Sequence, residues 1–184
     1  MSDIRSTPAW VALRQQILDK AVVHGKVILS SGREADYYVD LRRVTLDGEA
    51  APLVGEVMLD LTSHLDYSAV GGLTLGADPV AVAMLHAAAA RGGRMDAFVV
   101  RKAEKQHGLH RRIEGTLTTD RRVLAVEDTS TTGGSVLTAV EALREEGAEI
   151  VGVAVIVDRG AGDAVRAAGL DYYAAYSLED LGLA

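Results

Sequence analysis

Two short runs of consecutive apolar residues constrain the fold of this chain most strongly. They cover residues 123–126 and 150–157, and the second is rich in β-branched side chains. A strand that is apolar on both faces has to be buried on both, which is typical of a parallel sheet covered by helices. Between the two runs, residues 135–146 show helical spacing, and Gly147 follows where the helix would end. The pattern predicts an α/β fold with a mainly parallel central sheet.

The rest of the chain continues this alternation of helices and strands. In chain order, the sequence first predicts an amphipathic helix at 8–23, a strand at 37–39 and a helix that Asp47 caps and that includes Leu61. A strand at 69–72 and a helix that Asp78 caps and that runs to Ala90 come next. A strand at 97–100 and an exposed basic loop at 101–120 follow them. No repeat or Pro/Gly/Ser-rich linker divides the sequence, so we expect one domain over residues 1–184.

The composition narrows the classes of protein to which this chain can belong. It contains no cysteine, which excludes a disulfide framework, a thiolate zinc site and a cysteine nucleophile, and we expect a cytoplasmic location. The net charge of −7 argues against a general nucleic-acid-binding protein. The apolar runs are far shorter than the roughly 20 residues that a membrane-spanning helix needs. We therefore expect neither a nucleic acid nor a membrane as a partner.

The first candidate site lies where the strand at 123–126 ends. Glu127 and Asp128 follow directly, and residues 129–135 form a turn rich in hydroxyls and glycine that leads into a helix. Such a turn suits a phosphate, because free backbone N–H groups face the anion and glycines let it approach. The lysine of a Walker loop and the glycines of a dinucleotide fingerprint are both absent. Adjacent carboxylates favour a ligand that also carries hydroxyls or Mg²⁺, such as ribose 5-phosphate; the alternative is a capped helix without a ligand.

The second candidate site is the basic segment after the strand at 97–100. Five Lys or Arg side chains lie between positions 101 and 112, with His107 and His110 among them. On an acidic protein this cluster indicates an anion site that suits a pyrophosphate leaving group. The alternative for this segment taken alone is a solvated charged loop.

The stretch 123–135 resembles the phosphoribosyl pyrophosphate (PRPP) motif of the type I phosphoribosyltransferases, an apolar strand with two acids and a Thr/Gly loop. The resemblance implies the α/β fold of that family, in which helices flank a central, mainly parallel sheet, with a small N-terminal hood at about 1–45 and a core at about 46–184. It also implies that Glu127 and Asp128 hold the ribose hydroxyls. The residues that would bind the rest of the ribose phosphate are Thr129, Ser130, Thr131, Thr132, Gly133, Gly134 and Ser135.

Three further segments resemble the orotate phosphoribosyltransferases within that family. The pattern Arg-Lys-x-x-Lys-x-His-Gly from position 101 is similar to their catalytic loop, residues 29–40 are similar to their N-terminal substrate-binding segment, and Arg159 follows a strand as their orotate-binding arginine does. The resemblance implies a homodimeric enzyme that transfers phosphoribosyl from PRPP to orotate. It also implies Mg²⁺ as the cofactor, held mainly by the substrates, with no metal ligands assigned to the protein.

The same resemblance implies roles for individual residues. Lys102, Lys105 and Asp128 would be catalytic, and Lys102 would reach into the neighbouring subunit. Pyrophosphate would be bound by Arg101, Lys102, Lys105 and His107, and orotate by Tyr38, Thr131 and Arg159.

Three positions depart from the pattern of these enzymes. Ser30 and Leu75 stand where many members have lysine, and Tyr38-Val39 replaces an aromatic pair. Two other functions also stay open. A phosphoribosyltransferase for another nucleobase would share the PRPP motif, and a non-catalytic regulator could bind PRPP as an effector. We expect the regulator to carry a nucleic-acid-binding surface, which this acidic chain does not show.

Overall fold

The computed structural model of the protein describes residues 3–28, 34–103 and 112–184. The strands are β1 (Val22–Ile28), β2 (Glu34–Val39), β3 (Ala69–Leu73), β4 (Asp96–Val100), β5 (Ile113–Gly115), β6 (Arg122–Ser130), β7 (Glu149–Asp158) and β8 (Tyr172–Tyr176). The helices are α1 (Pro8–Gln16), α2 (Arg42–Thr45), α3 (Ala50–Leu61), α4 (Ala77–Ala90), α5 (Gly134–Glu145) and α6 (Gly162–Ala167), with a 3-10 helix at Ile4–Ser6 and a π-helical turn at Ile17–Ala21 that continues α1.

A six-stranded sheet in the order β5-β4-β3-β6-β7-β8 forms the centre of the molecule. All neighbouring strands in it are parallel except β4 and β5, which are antiparallel. One apolar core lies between the sheet and α1, α3 and α4, and a second lies between the sheet and α5 and α6. The structure therefore confirms the predicted α/β fold with helices on both faces of a mainly parallel sheet.

Strand β6 shows why a continuous apolar run predicts a strand of this kind. Leu124 and Val126 pack into the first core, whereas Val123 and Ala125 pack into the second. All four side chains are fully buried. Since burying one Val or Leu side chain contributes about 1.5–3 kcal/mol, both faces of β6 hold the sheet to its two helical layers.

The strand order creates a crevice at one edge of the sheet. Strands β3 and β6 are neighbours, but β3 connects through α4 to β4 on one side, whereas β6 connects through α5 to β7 on the other. The chain therefore diverges where these two strands end. Ligands of doubly wound α/β folds bind at such a point, outside the carboxyl ends of the strands.

The N-terminal part of the chain joins this core by specific contacts. Strands β1 and β2 form a separate antiparallel sheet within the segment predicted as the hood. The Trp10 indole donates to the carbonyl of Ala175 at 2.8 Å, and the Tyr176 hydroxyl donates to the carbonyl of Trp10 at 2.8 Å. The Trp10 and Tyr176 rings lie 4.7 Å apart. These buried contacts attach α1 to strand β8.

Several predicted elements differ from the structure at their ends. The helix predicted at 8–23 ends at Ala21, because Val22 already pairs with Val39 in the hairpin. Asp47 does cap the next helix, since its Oδ1 accepts the backbone N–H groups of Glu49 and Ala50 at 3.0 Å. Asp78, in contrast, lies inside the first turn of α4.

Other elements were absent from the sequence-based prediction. The segment predicted as the loop 101–120 contains β5, whose partner is the edge of β4. Three residues are too few to show a period of two, so the pattern could not indicate this strand. Helices α2 and α6 and strands β1 and β8 were also missed. In the part of the chain that the structure describes, no helix is both long and apolar enough to cross a membrane.

Candidate active site

A cavity of about 280 Å³ lies at the crevice between the ends of β3 and β6. The structure brings several of the predicted site residues to this cavity, although they come from distant parts of the chain. Those that line it are Tyr38, Lys102, Glu127, Asp128, Thr129 and Ser135. The cavity therefore joins the hood segment, the predicted basic loop and the predicted PRPP motif.

The two acids at the end of β6 are both buried. Glu127 is 5% and Asp128 9% exposed. The Asp128 N–H lies 3.2 Å from Glu127 Oε1, and the Thr129 N–H donates to Asp128 Oδ1 at 2.6 Å. Burial raises the pKa of Glu127 to about 8, and repulsion by Asp128 adds to this. Burial also raises the pKa of Asp128, while the N–H of Thr129 opposes the change. The pair thus suits a ligand that brings hydroxyls or positive charge.

The turn after β3 closes over these acids. Gly76 packs so tightly there that a Cβ at this position would lie 2.8 Å from Asp128 Oδ1 and would also meet Glu127. The Thr74 hydroxyl donates to Asp78 Oδ2 at 2.7 Å, and the Thr74–Leu75 peptide bond is cis. A glycine at position 76 therefore lets the backbone approach the two carboxylates.

The loop after β6 presents backbone and hydroxyl groups to solvent at the N-terminus of α5. Thr131, Thr132, Gly134 and Ser135 are exposed. Gly133 precedes the helix with φ +80°, a left-handed conformation that glycine adopts without strain. Gly133 has no side chain with which to cap α5, and the Gly134 N–H makes only a long contact of 3.4 Å to the Thr132 hydroxyl oxygen. The N–H groups that follow in the first turn can donate to an anion, as the predicted phosphate loop requires.

The four residues predicted to bind pyrophosphate have three different outcomes. Lys102 is exposed and lines the cavity. Arg101 is not among the residues that line it, and its Nη1 lies 3.4 Å from Glu114 Oε1 on β5. Lys105 and His107, like Ser30, lie outside the described residues.

Arg159 lies in a well-fixed turn after β7, beside the PRPP loop. Its backbone N–H donates to the carbonyl of Ser130 at 2.9 Å. Asp158 Oδ1 accepts from the N–H groups of Gly160 at 2.9 Å and Ala161 at 3.1 Å, and from the Tyr172 hydroxyl at 2.9 Å. The half-buried Arg159 side chain does not line the cavity itself. Orotate binding by Arg159, Tyr38 and Thr131 stays a prediction.

Eight residues that line the cavity were not individually predicted as site residues. They are Val39, Asp40, Leu41, Arg42, Leu73, Thr74, Leu75 and Gly76. Arg42 Nε donates to Asp40 Oδ1 at 2.8 Å. Asp40 and Arg42 closely follow Tyr38 in the sequence, so a charged pair next to a predicted site residue is the feature that could have identified them.

The oxygen atoms at the site can be compared with the ligands that the predicted Mg²⁺ requires. Glu127 and Asp128 offer carboxylate oxygens, which are the atoms that Mg²⁺ prefers. Among residues 3–28, 34–103 and 112–184, no group of three or more His, Asp or Glu side chains could form a metal site by itself. The residues therefore fit an ion that takes most of its ligands from substrates and water.

Comparison with known proteins agrees with this geometry. The family model "Phosphoribosyl transferase domain" matches residues 69–171. The orotate phosphoribosyltransferase of Streptomyces avermitilis is 70% identical, with all of both chains covered. The crystal structure of the Mycobacterium tuberculosis orotate phosphoribosyltransferase in complex with Fe(III) dicitrate is 57% identical with a TM-score of 0.87, and covers 96% of this chain and 100% of that one.

A further crystal structure of the Mycobacterium tuberculosis enzyme contains PRPP. It is 52% identical to this chain with a TM-score of 0.84, and the match covers 96% of this chain and all of that one. Identity at this level over nearly the whole chain, together with the acid pair and the loop at the sheet edge, identifies the family. The chain belongs to the phosphoribosyltransferases, and among them to the orotate phosphoribosyltransferase family.

Proposed function

We infer that this chain transfers the phosphoribosyl group of PRPP to orotate, which yields orotidine 5′-monophosphate and pyrophosphate in pyrimidine biosynthesis. The observation that carries this inference is the buried pair Glu127 and Asp128, which is followed by an exposed hydroxyl and glycine loop at the N-terminus of α5. This arrangement provides acceptors for sugar hydroxyls next to donors for a phosphate.

The site binds PRPP through two chemically different surfaces. Glu127 and Asp128 accept hydrogen bonds from the ribose hydroxyls. These bonds offset part of the free-energy penalty of burying the two carboxylates. The 5-phosphate binds the loop from Thr129 to Ser135 through free N–H groups and hydroxyls. Mg²⁺, when bound, screens the charge between the pyrophosphate and these carboxylates.

Catalysis rests mainly on position and charge. As the bond from the ribose to pyrophosphate breaks, negative charge grows on the leaving group and positive charge on the sugar, while N1 of orotate attacks from the opposite face. Lys102 of the neighbouring subunit stabilises the leaving group, and Asp128 offsets part of the sugar's charge. Lys105, His107 and Arg101 are proposed to assist Lys102 once substrates are bound. Arg159 holds the carboxylate of orotate through its planar fork, with Tyr38 and Thr131 beside the base.

A homodimer is part of this proposal. An apolar groove of about 900 Å³ lies beside the active site, between α3 and α4. The large apolar side chains Leu46, Leu75 and Val82 line it and are 70%, 60% and 48% exposed. Leu75 lines the active-site cavity as well, so a second copy in the groove would lie next to the first copy's substrates. That position allows Lys102 of one subunit to reach its partner's site.

The exchange of Lys102 between subunits can be tested by hybrid dimers. Lys102→Ala and Asp128→Asn are each expected to be nearly inactive alone. If Lys102 acts across the interface, a mixture of the two variants regains part of the activity, because one of the two sites in a hybrid dimer is intact. No recovery after demonstrated subunit exchange would place Lys102 in its own subunit's site.

The proposed reaction is tested by the loss of orotate absorbance with PRPP and Mg²⁺, run in parallel with uracil, adenine and hypoxanthine. We expect turnover with orotate alone. Turnover with another base would leave the PRPP site intact but overturn the orotate assignment. PRPP binding without turnover of any base would indicate the regulator instead. A cytoplasmic location stays a prediction from the cysteine-free composition.

A further inference from the structure

The charges around the active-site cavity do not match those of its proposed ligand. Three carboxylates line the cavity, those of Asp40, Glu127 and Asp128. The cationic residues that line it, in the part of the chain that the structure describes, are Lys102 and Arg42. PRPP brings a pyrophosphate group with several negative charges into this acidic cavity, so each available cation matters for its binding.

Arg42 is held in place by one edge of its guanidinium group. Its Nε donates to Asp40 Oδ1 at 2.8 Å, and its backbone N–H lies 3.3 Å from the same oxygen. No bond from its two Nη groups to another described residue is present, and the side chain is 47% exposed. Arg42 is also close enough to Asp128 to oppose the rise in that carboxyl's pKa. The Nη groups thus form an oriented fork with free donors at the cavity wall.

The neighbouring Arg43 provides a contrast within the same element. Its Nε lies 4.0 Å from Asp40 Oδ2, so both arginines face the same acid. Arg43 is 58% exposed, however, and it is not among the residues that line the cavity. Both arginines therefore place a positive charge near Asp40, but of the two it is Arg42 that lines the cavity.

We propose that Arg42 is a substrate-binding residue that donates hydrogen bonds to the pyrophosphate group of PRPP, with Asp40 as the residue that positions it. The proposal rests on the proposed function and adds a cation from the hood side of the cavity. A guanidinium group suits this task because its planar fork matches two oxygens of a phosphate. The interaction strengthens as charge accumulates on the leaving pyrophosphate, so Arg42 acts on kcat as well as on binding.

The test compares Arg42→Gln with Arg43→Gln in the full-length protein. Calorimetry with inorganic pyrophosphate and Mg²⁺ measures binding without any reaction. For Arg42→Gln we expect the Kd for pyrophosphate and the KM for PRPP each to rise about tenfold or more, because a charge-assisted hydrogen bond is lost. The KM for orotate should change less than about twofold. Arg43→Gln should match the wild type in all three quantities, and Arg42→Lys should recover part of the loss.

Three results would overturn the assignment. They are unchanged pyrophosphate affinity in Arg42→Gln, an equal loss in Arg42→Gln and Arg43→Gln, and a rise in the KM for orotate alone. Thermal unfolding of each variant shows whether the fold is intact. If the wild type binds pyrophosphate but turns over no orotate, the proposed function fails while the role of Arg42 is still decided by the binding measurement.

Discussion

Glu127 and Asp128 show how a single pair of residues links folding to substrate binding. Two adjacent buried carboxylates repel each other and have lost most of their hydration, which destabilises their charged forms. A ligand with hydroxyls and a bound cation removes both penalties. The buried pair therefore lowers the stability of the ligand-free protein and raises the affinity of the site for a sugar phosphate.

The burial of these two carboxylates predicts how the stability of the ligand-free protein depends on pH. Because burial raises the pKa of Glu127 from its ordinary 4.5 to about 8, the folded chain holds a proton that the unfolded chain releases in that range. The free energy of unfolding contributed by Glu127 is thus highest at low pH and falls as the pH rises from about 4.5 to 8. We expect Glu127→Gln to remove this decline, so that the ligand-free variant is more stable than the ligand-free wild type at pH 8.5.

Urea unfolding at pH 5 and pH 8.5 measures this effect. Glu141→Gln, on the exposed side of α5, serves as the control with the same change of charge. Parallel pH profiles for Glu127→Gln and the wild type would show that Glu127 does not hold the proton.

Gly76 carries a second prediction at the residue scale. A methyl group at this position would displace the carboxylates of Glu127 and Asp128. We expect Gly76→Ala to lower kcat/KM for PRPP about 10- to 100-fold, because misplacing reacting groups by about 1 Å has effects of this size. Gly48→Ala is the control, since a Cβ there meets no atom within 4 Å. Wild-type kinetics in Gly76→Ala would contradict the tight packing of this turn against the acids.

The sequence predicted some residues of the site better than others. Glu127, Asp128 and the loop to Ser135 follow a buried strand without interruption, so their position follows from local chemistry. Asp40 and Arg42 come from the hood, and only the packing of that segment brings them to the end of β6. The sequence shows that these two charged residues follow Tyr38, but no local pattern shows that they pack against the end of β6.

At the scale of elements, the turn between β7 and α6 determines where Arg159 lies. Asp158 organises this turn, and the Tyr172 hydroxyl on β8 holds Asp158. Burial and this hydrogen bond raise the pKa of Tyr172 above its usual range, so the hydroxyl stays a donor. Strand β8 thereby supports a turn that belongs to the strand beside it.

Removal of that hydroxyl tests the role of the turn. We expect Tyr172→Phe to raise the KM for orotate about two- to tenfold, because a hydrogen bond to a carboxylate contributes about 1.5 kcal/mol or more. The KM for PRPP should stay near the wild-type value. Tyr173→Phe is the control, because Tyr173 packs against His64 instead of Asp158. If the KM for PRPP rises as much as that for orotate, the turn does not act through Arg159.

The strands of the six-stranded sheet that the sequence predicted share one property. The strands at the centre of the sheet are continuous apolar runs, since both of their faces are covered. Strands β5 and β8 lie at the edges of the sheet, and β8 mixes tyrosine with alanine. Their identity depends on the neighbouring strand with which they pair, so the sequence pattern could not indicate them.

At the scale of the whole molecule, the groove between α3 and α4 predicts self-association. Val82 on α4 is 48% exposed within this groove, whereas Val11 on α1 is 56% exposed and does not line it. We expect Val82→Asp to weaken the dimer at least about tenfold, because a buried unpaired charge costs several kcal/mol. Sedimentation equilibrium measures the dissociation constant.

Val11→Asp is the matched control and should stay dimeric. The contradicting result would be a Val82→Asp variant that associates like the wild type. A monomeric wild type would remove the shared site altogether.

The order of the strands was beyond the sequence-based prediction. Apolar runs indicated which segments form strands, but the divergence of the chain at β3 and β6 follows from how two helical layers pack on one sheet. That divergence places the acids of β6 opposite the turn after β3. The crevice is therefore a property of the whole fold, whereas its chemistry comes from short segments.

The proposed function depends above all on the acids at the end of β6, which we propose act on the ribose of PRPP. The most direct test is kcat/KM for PRPP in orotidine monophosphate formation by Asp128→Asn, next to Asp120→Asn, the same substitution at an exposed turn. We expect a loss of about 100-fold or more for Asp128→Asn and wild-type values for Asp120→Asn. Wild-type turnover by a folded Asp128→Asn would contradict it.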